Sequence, residues 1–337
     1  MRTVRIVCLA QMSNNMLINS IYPYVPEMIF DFHNAPSRSE LGVYWGILIA
    51  MFFLGRCIGT PFWGWFIDRK GRKTGMSWAL ISITTFSVLF GISHNFVWAC
   101  FVRFLLGLMS SIPMISKTMI NETWTDKDRK KQAMNLMEFL NSLSRAFAIF
   151  IGGIFSHCER IGISSHFLVK YPYLLPNLII AGFTIFALVL LLLFVDETFK
   201  DTQDTPEDKR KNQEAEMSWM GLLGYNKVWL VISIFSCLSF TITSMSLLLV
   251  IWLYIDLKWN TFEMALITGI PAFIVILFSH AYYDLMINKF GYNKVIKYGF
   301  AIAVPVILVI PYILYLPFDH ISYFSMISSL LIAWYMA

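Results

Sequence analysis

Long apolar stretches separated by short polar segments run through the sequence. Ten of them approach the roughly 20 residues that an α-helix needs to cross the hydrocarbon core of a bilayer. They cover residues 4–29, 41–67, 75–93, 96–119, 133–156, 171–195, 227–255, 262–286, 295–316 and 321–337. The pattern therefore predicts an all-α, polytopic membrane protein with ten membrane-spanning helices.

A polar segment after the sixth predicted helix divides these helices into two groups. Residues 196–226 mix acidic and basic side chains, which is typical of a solvated linker. We predict a six-helix bundle over 1–195, a cytoplasmic linker over 196–226 and an incomplete group of about four helices over 227–337. The short sequence Asn288-Lys-Phe-Gly291 repeats the position and part of the sequence of Asp68-Arg-Lys-Gly71. Repeated halves of this kind are common in transporters.

Composition agrees with the membrane class. Hydrophobic residues make up 57% of the 337 residues and charged residues 14%, far from a soluble globular average. The five cysteines form no Cys-x-x-Cys pair, so we interpret them as packing residues and expect no metal and no cofactor. The basic residues are spread over loops rather than along one face, so no nucleic-acid partner is expected.

The distribution of lysine and arginine predicts the orientation. With the N-terminus inside, 19 of the 26 basic residues lie in inner segments and four in outer ones. Because basic loops stay in the cytoplasm, this bias predicts a cytoplasmic N-terminus and a cytoplasmic central linker. The sequence leaves open whether the membrane is the plasma or the vacuolar membrane.

One polar loop, residues 64–73, joins the second and third predicted helices. Asp68 comes at the C-terminal end of a helix, where the helix dipole disfavours negative charge, so it needs a partner. The general tendency of lysine and arginine to remain in cytoplasmic loops would explain the basic residues of this loop, but it would not explain Asp68 or the glycines.

The spacing Gly64-x-x-x-Asp68-Arg-x-Gly71-Arg72-Lys73 resembles the loop motif of the major facilitator superfamily. Further stretches resemble its zinc-induced-facilitator-like branch, close to drug:proton antiporters. They read Tyr22-Pro-Tyr-Val-Pro26, Leu54-Gly-Arg56, Arg103-Phe-Leu-Leu-Gly107, Tyr171-Pro-Tyr-Leu-Leu-Pro176 and Glu197-Thr198. The resemblance implies the major facilitator fold.

The resemblance also implies a gating loop that latches the two halves together. Asp68 would bind the other half, and Arg72 or Lys73 would reach Glu122 at the end of helix four. Gly64 and Gly71 would let the helices and the loop approach closely. The implied gating residues are Gly64, Asp68, Arg69, Gly71, Arg72, Lys73 and Glu122.

The sequence departs from that family in two places. Helix five reads Ser144-Arg-Ala-Phe-Ala-Ile-Phe-Ile-Gly152-Gly153 and lacks the Gly-Pro pair of the antiporter motif, so antiport is less supported than transport. The family has twelve helices, whereas this chain ends inside the tenth. We expect either a fragment that lacks the last two helices or an unusual short form.

Three arginines, Arg56, Arg103 and Arg145, lie well inside predicted helices. Each costs on the order of 3 kcal/mol in the bilayer, so a partner or a watery cavity is expected. A structural ion pair with Glu138 or Glu27 is one alternative, and binding of anionic groups is the other. The surplus of positive charge favours an anionic or chelated substrate.

Two residues are candidate proton carriers, because arginine does not release its proton. Glu27 lies near the outer end of helix one, where it could meet Arg103, or it could be an interfacial glutamate that touches water. His280 lies well within helix eight, although a lone histidine there more commonly packs against a neighbouring helix. The predicted transport pathway comprises Glu27, Arg56, Arg103, Gly107, Arg145 and His280.

Together these features predict a proton-coupled secondary active transporter that moves a small solute by alternating access. The branch that it resembles is close to antiporters, but the sequence leaves open whether transport is antiport, symport or uniport. Its partners would be the solute, protons and the lipid bilayer, and we expect a monomer. The sequence contains no Gly-x-x-x-x-Gly-Lys-Ser/Thr motif and no apparent Ser/His/Asp set, so we expect no enzyme. The alternatives are a non-transporting receptor or sensor of the same fold, or an inactive truncated form.

Overall fold

The computed structural model describes residues 2–32, 40–124, 126–157, 166–197, 226–255 and 257–291, with a few isolated positions elsewhere. The regular structure of these ranges is helical, so the all-α prediction is confirmed. The helices are α1 (Arg2–Asn19), α2 (Val25–Asp31), α3 (Leu41–Lys70), α4 (Arg72–Gly91), α5 (Phe96–Met109), α6 (Ile112–Thr123), α7 (Lys127–Phe155), α8 (His166–Lys170), α9 (Leu174–Phe194), α10 (Asn226–Ile255) and α11 (Thr261–Phe290).

Six segments of the described chain are long and apolar enough to cross a membrane. They are Leu41–Lys70, Arg72–Gly91, Phe96–Thr123, Lys127–Phe155, Leu174–Phe194 and Thr261–Phe278, at the predicted spans two to six and eight. Helices α1 and α10 lie at the first and seventh predicted spans. The spans predicted over 295–316 and 321–337, and most of the predicted linker, fall outside the described residues.

Two spans predicted as continuous helices are each built from two helices. Between α1 and α2 the chain contains Pro23, and Pro26 lies in the first turn of α2. Between α5 and α6 it passes through two serines, and Pro113 lies in the first turn of α6. Because proline lacks the N–H that a helix interior requires but suits a first turn, both breaks follow from the sequence.

Helices α3 and α5 cross with their backbones in contact. Gly55 and Gly59 lie one turn apart on α3, and added Cβ atoms there would collide with the carbonyl oxygens of Phe104 and Leu108. From the other side, Gly107 of α5 faces the backbone of α3 in the same way. Such small-residue spacing lets membrane helices pack closely, and here it fixes α3 against α5.

Helix α7 connects the first group of helices to the second. It packs on α1 and α9 on one side and on α11 on the other. Gly152 faces the backbone of Ser20, where α1 ends, whereas Gly153 faces Ala265 and the carbonyl oxygen of Thr261 in α11. The two adjacent glycines thus serve two different helix contacts.

The buried apolar side chains form two main cores, one toward each end of the bundle. The first includes Val4, Ile67 and Met119 and, among the described residues, contains side chains of the first helix group alone. The second includes Tyr24 and Trp45 together with side chains from α10 and α11. The two helix groups are therefore packed together at the end of the second core.

Candidate functional site

The predicted gating loop lies at the end of the molecule that we call the Asp68 end. The Arg2 guanidinium carbon lies 3.9 Å from the centre of the Phe194 ring, so the start of α1 and the end of α9 meet there. The backbone N–H of Arg72 donates to Glu197, which follows α9, at 2.7 Å. The N-terminus, the loop and the end of α9 therefore share one end.

Arg72 is the centre of this network, and its side chain is only 11% exposed. Its Nε and Nη2 both lie 2.9 Å from Oε1 of Glu122 at the end of α6. Its Nη2 lies 3.1 Å from Oδ1 of Asp68, and its Nη1 donates to the carbonyl oxygen of Ile67 at 3.0 Å. The planar guanidinium suits such multiple contacts, so one side chain joins the ends of α3, α4 and α6.

The structure corrects the expectation for Lys73 and adds Glu197. The Lys73 ammonium does not reach Glu122 but donates to the carbonyl oxygen of Leu192 at 3.1 Å. The backbone N–H groups of Arg72 and Lys73 donate to the Glu197 carboxylate at 2.7 Å and 3.2 Å. A carboxylate at a helix N-terminus satisfies free N–H groups and interacts favourably with the dipole. The sequence signal was a glutamate three residues after the end of an apolar helix.

The two glycines of the loop motif have different surroundings. Gly71 has a φ of +94°, and an added Cβ atom would collide with the Glu197 carboxylate, so the loop requires glycine there. Gly64 lies within α3, and an added Cβ atom would meet no described atom within 4 Å. The close approach expected at Gly64 is therefore not present among the described residues.

Asp68 and Arg69 lie at the edge of this network. Asp68 is 67% exposed and pairs with Arg72, so its ion pair lies within its own half. A contact from Asp68 to the second helix group is absent from the part of the chain that the structure describes. The Arg69 guanidinium carbon lies 4.6 Å from the centre of the Trp65 ring.

Glu27 lies at the opposite end of the molecule, which we call the Glu27 end, and its side chain is 18% exposed. Its Oε2 lies 2.9 Å from Nε2 of His157, which follows α7. The same oxygen accepts a hydrogen bond from the hydroxyl of Thr261, the first residue of α11. Sequence reasoning found Glu27 but missed both partners, which stand at the edges of apolar runs without a motif.

Aromatic and polar groups surround this contact. The Tyr173 hydroxyl donates to Asp31, and the Tyr173 ring lies edge-on to His157 at 5.7 Å between centroids. Tyr173 also stacks on Tyr24 at 5.4 Å, and the Asn177 amide donates to the Tyr24 hydroxyl at 3.2 Å. The ends of α2, α7 and α9 are thereby held together.

Arg103 does not meet Glu27, contrary to expectation. It is 2% exposed, and its guanidinium carbon lies 5.0 Å from the centre of the Phe52 ring and 5.3 Å from that of Phe90. Its Nε has no hydrogen-bond partner, and no ion pair of Arg103 occurs among the described residues. Aromatic faces offset part of the cost of burying this charge.

The other two arginines lack carboxylate partners within the described ranges as well. Arg145 is exposed on α7, and Arg56 on α3 is half-buried. Tyr22 lies within electrostatic range of both Arg103 and Arg145. Glu138 accepts a hydrogen bond from Asn141 instead of an arginine, so the alternative of structural ion pairs is not observed.

Two further pathway candidates have less specific surroundings. Gly107 contacts the backbone of α3, so a packing role accounts for it. His280 lies in the helical part of α11, and its side chain is outside the described residues. Within the described ranges, no group of three or more His, Cys, Asp or Glu side chains could hold a metal ion.

Comparison with known families decides the class of the protein. The family model of the Major Facilitator Superfamily matches residues 7–337. The chain belongs to this superfamily. It is therefore a multi-pass integral membrane protein of a transporter family and not an enzyme.

Curated relatives include proteins of the branch that the sequence resembles. Protein ZINC INDUCED FACILITATOR 1 of Arabidopsis thaliana is 26% identical over 330 residues, which are 90% of this chain and 68% of that protein. Multidrug resistance protein MdtG of Serratia proteamaculans is 23% identical, over 86% of this chain and 66% of its own length. Efflux pump azaK of Aspergillus niger is 28% identical over 62% of this chain, which spans only 43% of the pump.

Solved structures show the same fold. One of them is a bacterial homologue of the human lysosomal transporter Spinster in an inward-facing conformation. The match covers 99% of the present chain and 72% of the homologue, with a TM-score of 0.73 and 16% identity. A D-xylose–proton symporter also gives a TM-score of 0.73 at 16% identity, covering 100% of this chain and 80% of its own. The major facilitator fold is thereby confirmed.

Proposed function

We propose that this protein moves a small solute across a membrane by alternating access, coupled to protons. The observation that carries the proposal is that the two helix groups pack together at the Glu27 end, whereas the contacts of the Arg72 network at the Asp68 end join elements of the first group within the described ranges. A pathway closed at one end by contacts between the groups is what alternating access requires of one of its states.

The proposed orientation places the Asp68 end in the cytoplasm. It rests on the excess of basic residues in the predicted inner segments. The contacts of Arg2 with Phe194 and of Arg72 with Glu197 support it, because they bring several of these segments to one end. The Glu27 end then faces away from the cytoplasm.

The Arg72 network acts in this proposal as a rigid gating unit. It holds the ends of α3, α4, α6 and α9 together, so these helices would move as one body. The exposed carboxylate of Asp68 is then available to a partner of the second group in the opposite state of the cycle. Loss of the Arg72 contacts would allow the loop to move independently of these four helices.

The substrate class that the arginines favour is an anionic or chelated solute. Arg103 is buried without a carboxylate partner in the part of the chain that the structure describes, and Arg145 is exposed on α7. A charge within the hydrocarbon is costly without a counter-charge, so a bound anion would lower the free energy of this region. Glu27 is the proposed proton carrier, since it is the acid that links the two helix groups.

The test is transport by the full chain in proteoliposomes with an imposed pH gradient. The probes are carboxyfluorescein and citrate as anions, and tetraphenylphosphonium as the cationic counter-probe. We expect gradient-dependent flux of an anionic probe and at least a roughly tenfold loss of flux in Asp68→Asn. Asp128→Asn, which changes an exposed acid at the start of α7, is the matched control and should transport normally.

Each part of this proposal has its own contrary result. Equal flux with and without the pH gradient would exclude proton coupling. Flux of the cation alone would exclude the substrate class. Saturable binding without flux would instead favour a receptor or sensor of the same fold.

A further inference from the structure

We propose that Glu27, His157 and Thr261 form a gate at the Glu27 end, which holds the two helix groups closed and must open in each transport cycle. This inference rests on the proposed function, because a gate has meaning only in a protein that alternates between two states. It concerns one contact: a single carboxylate oxygen shared by two side chains from different parts of the fold.

The three side chains come from elements that the fold brings together across the boundary between the groups. Glu27 lies on the short helix α2, and His157 follows the end of α7, so both belong to the first group. Thr261 begins α11 of the second group and is completely buried. The hydrogen bond from Thr261 to Glu27 is therefore a polar link from one group to the other.

Apolar packing surrounds this link. The core at this end joins Tyr24 and Met28 of the first group to Leu253 and Met264 of the second. The rings of Phe30 and Tyr254 lie 5.7 Å apart between centroids. The closed arrangement thus leaves the Glu27 side chain only 18% exposed, and a largely buried carboxylate needs its hydrogen-bond donors.

The chemistry of the link suits a reversible gate. Hydrogen bonds to a charged group are stronger than neutral ones, so they favour the closed state when buried. When the groups separate, water can replace Thr261 at the same oxygen, so opening leaves no unsatisfied charge. Removal of the Thr261 hydroxyl should therefore weaken the closed state specifically.

The experiment measures the distance between the two groups at this end. Spin labels are attached at Val97→Cys, at the start of α5, and at Asn260→Cys, before α11; both positions are exposed. The five native cysteines are replaced by alanine. Double electron–electron resonance spectroscopy of the protein in nanodiscs, without any substrate, then gives the populations of short and long distances between the two labels.

Thr261→Val should raise the ratio of long to short distances about tenfold, as loss of a hydrogen bond to a charged group predicts. Thr261→Ser retains the hydroxyl and should behave as the parent does. Thr268→Val is the matched control, because Thr268 lies two turns further along α11 and donates to its own helix, at Met264. It should leave the distances unchanged.

The outcomes separate the gate from the transport proposal. An unchanged distance distribution in Thr261→Val would overturn the gate, even if the protein transports an anion. A shift that occurs in Thr261→Val but not in Thr261→Ser or Thr268→Val supports the gate, even if no flux is found. An equal shift in Thr268→Val would also overturn the gate, because the effect would then be general loosening of α11.

Discussion

At the scale of single residues, Arg72 at the Asp68 end connects several helix ends at once. Arg72 contacts Asp68, Ile67 and Glu122 through its guanidinium, while its backbone N–H donates to Glu197. Gly71 permits this arrangement, because it has a positive φ and leaves room for the Glu197 carboxylate. The loop motif is therefore a packed structure as well as a set of charges.

The two motif glycines should respond oppositely to alanine. Gly71→Ala introduces a Cβ atom at a positive φ and against a carboxylate, so we expect a loss of about 1–3 kcal/mol in stability. Gly64→Ala adds a methyl group in open space within a helix and should be neutral or stabilising by up to about 1 kcal/mol. Thermal unfolding of the purified variants in detergent measures both.

The comparison of the two variants is the internal control. Equal melting temperatures for Gly71→Ala and the parent protein would contradict the assigned role of the loop backbone. A strongly destabilised Gly64→Ala would mean that Gly64 packs against a part of the chain beyond the described residues.

At the scale of helices, small residues decide which helices touch. The α3–α5 crossing depends on Gly55, Gly59 and Gly107, and Trp63 strengthens it by donating from Nε1 to the carbonyl oxygen of Leu108 at 3.0 Å. Arg56 and Arg103 lie on these two helices, so the crossing also sets the positions of both arginines. Packing and the proposed binding region are thus linked.

A substitution that separates α3 from α5 at this crossing should lower the stability of the folded protein. Gly59→Ala places a methyl group against the backbone of Leu108, so the helices must separate and lose contact, and we expect a lower melting temperature. Gly46→Ala changes a glycine of the same helix that has nothing within 4 Å, and it should not lower the melting temperature. A Gly59→Ala protein as stable as Gly46→Ala would show that the crossing tolerates separation.

For the whole molecule, the distribution of the two cores describes the conformational state. Side chains of both helix groups fill the core at the Glu27 end, whereas the described core at the Asp68 end belongs to the first group. Helix α7 carries part of the contact between the groups, through Gly153 against α11 and through the rings of Phe147 and Phe273. Closure at the Glu27 end therefore depends on close packing of α7 and α11.

A larger side chain between α7 and α11 should change the conformational equilibrium of the whole molecule. Gly153→Leu would push Thr261 and Ala265 away, so the population of the state closed at the Glu27 end should fall. Exchange between the two conformational states, and with it the flux, should slow. Gly182→Leu adds the same side chain on α9, where no described atom lies within 4 Å, and should have little effect. Flux and the spin-label distance at positions 97 and 260 are the two readouts, and a normal distance in Gly153→Leu would contradict this role of α7.

Local physics explains what the sequence by itself determined. A span is recognised by its own hydrophobicity, so the membrane class and the positions of the described spans could be predicted without any contact. The family resemblance implies that Arg72 or Lys73 would reach Glu122, and alternation of the helices across the bilayer places the ends of helices two and four on the same side, where the structure pairs Arg72 with Glu122. The first inference needs only the order of residues along the chain, whereas the second also needs the resemblance.

The tertiary structure decided every contact that depends on how helices pack. Thr261 follows Glu27 by 234 residues, and no local pattern indicates that their side chains share a hydrogen bond. The same holds for Lys73, which contacts Leu192 rather than Glu122, and for Arg103, which packs on aromatic rings rather than on Glu27. Hydrophobicity selects which segments enter the membrane, but the shapes of facing side chains select partners within it.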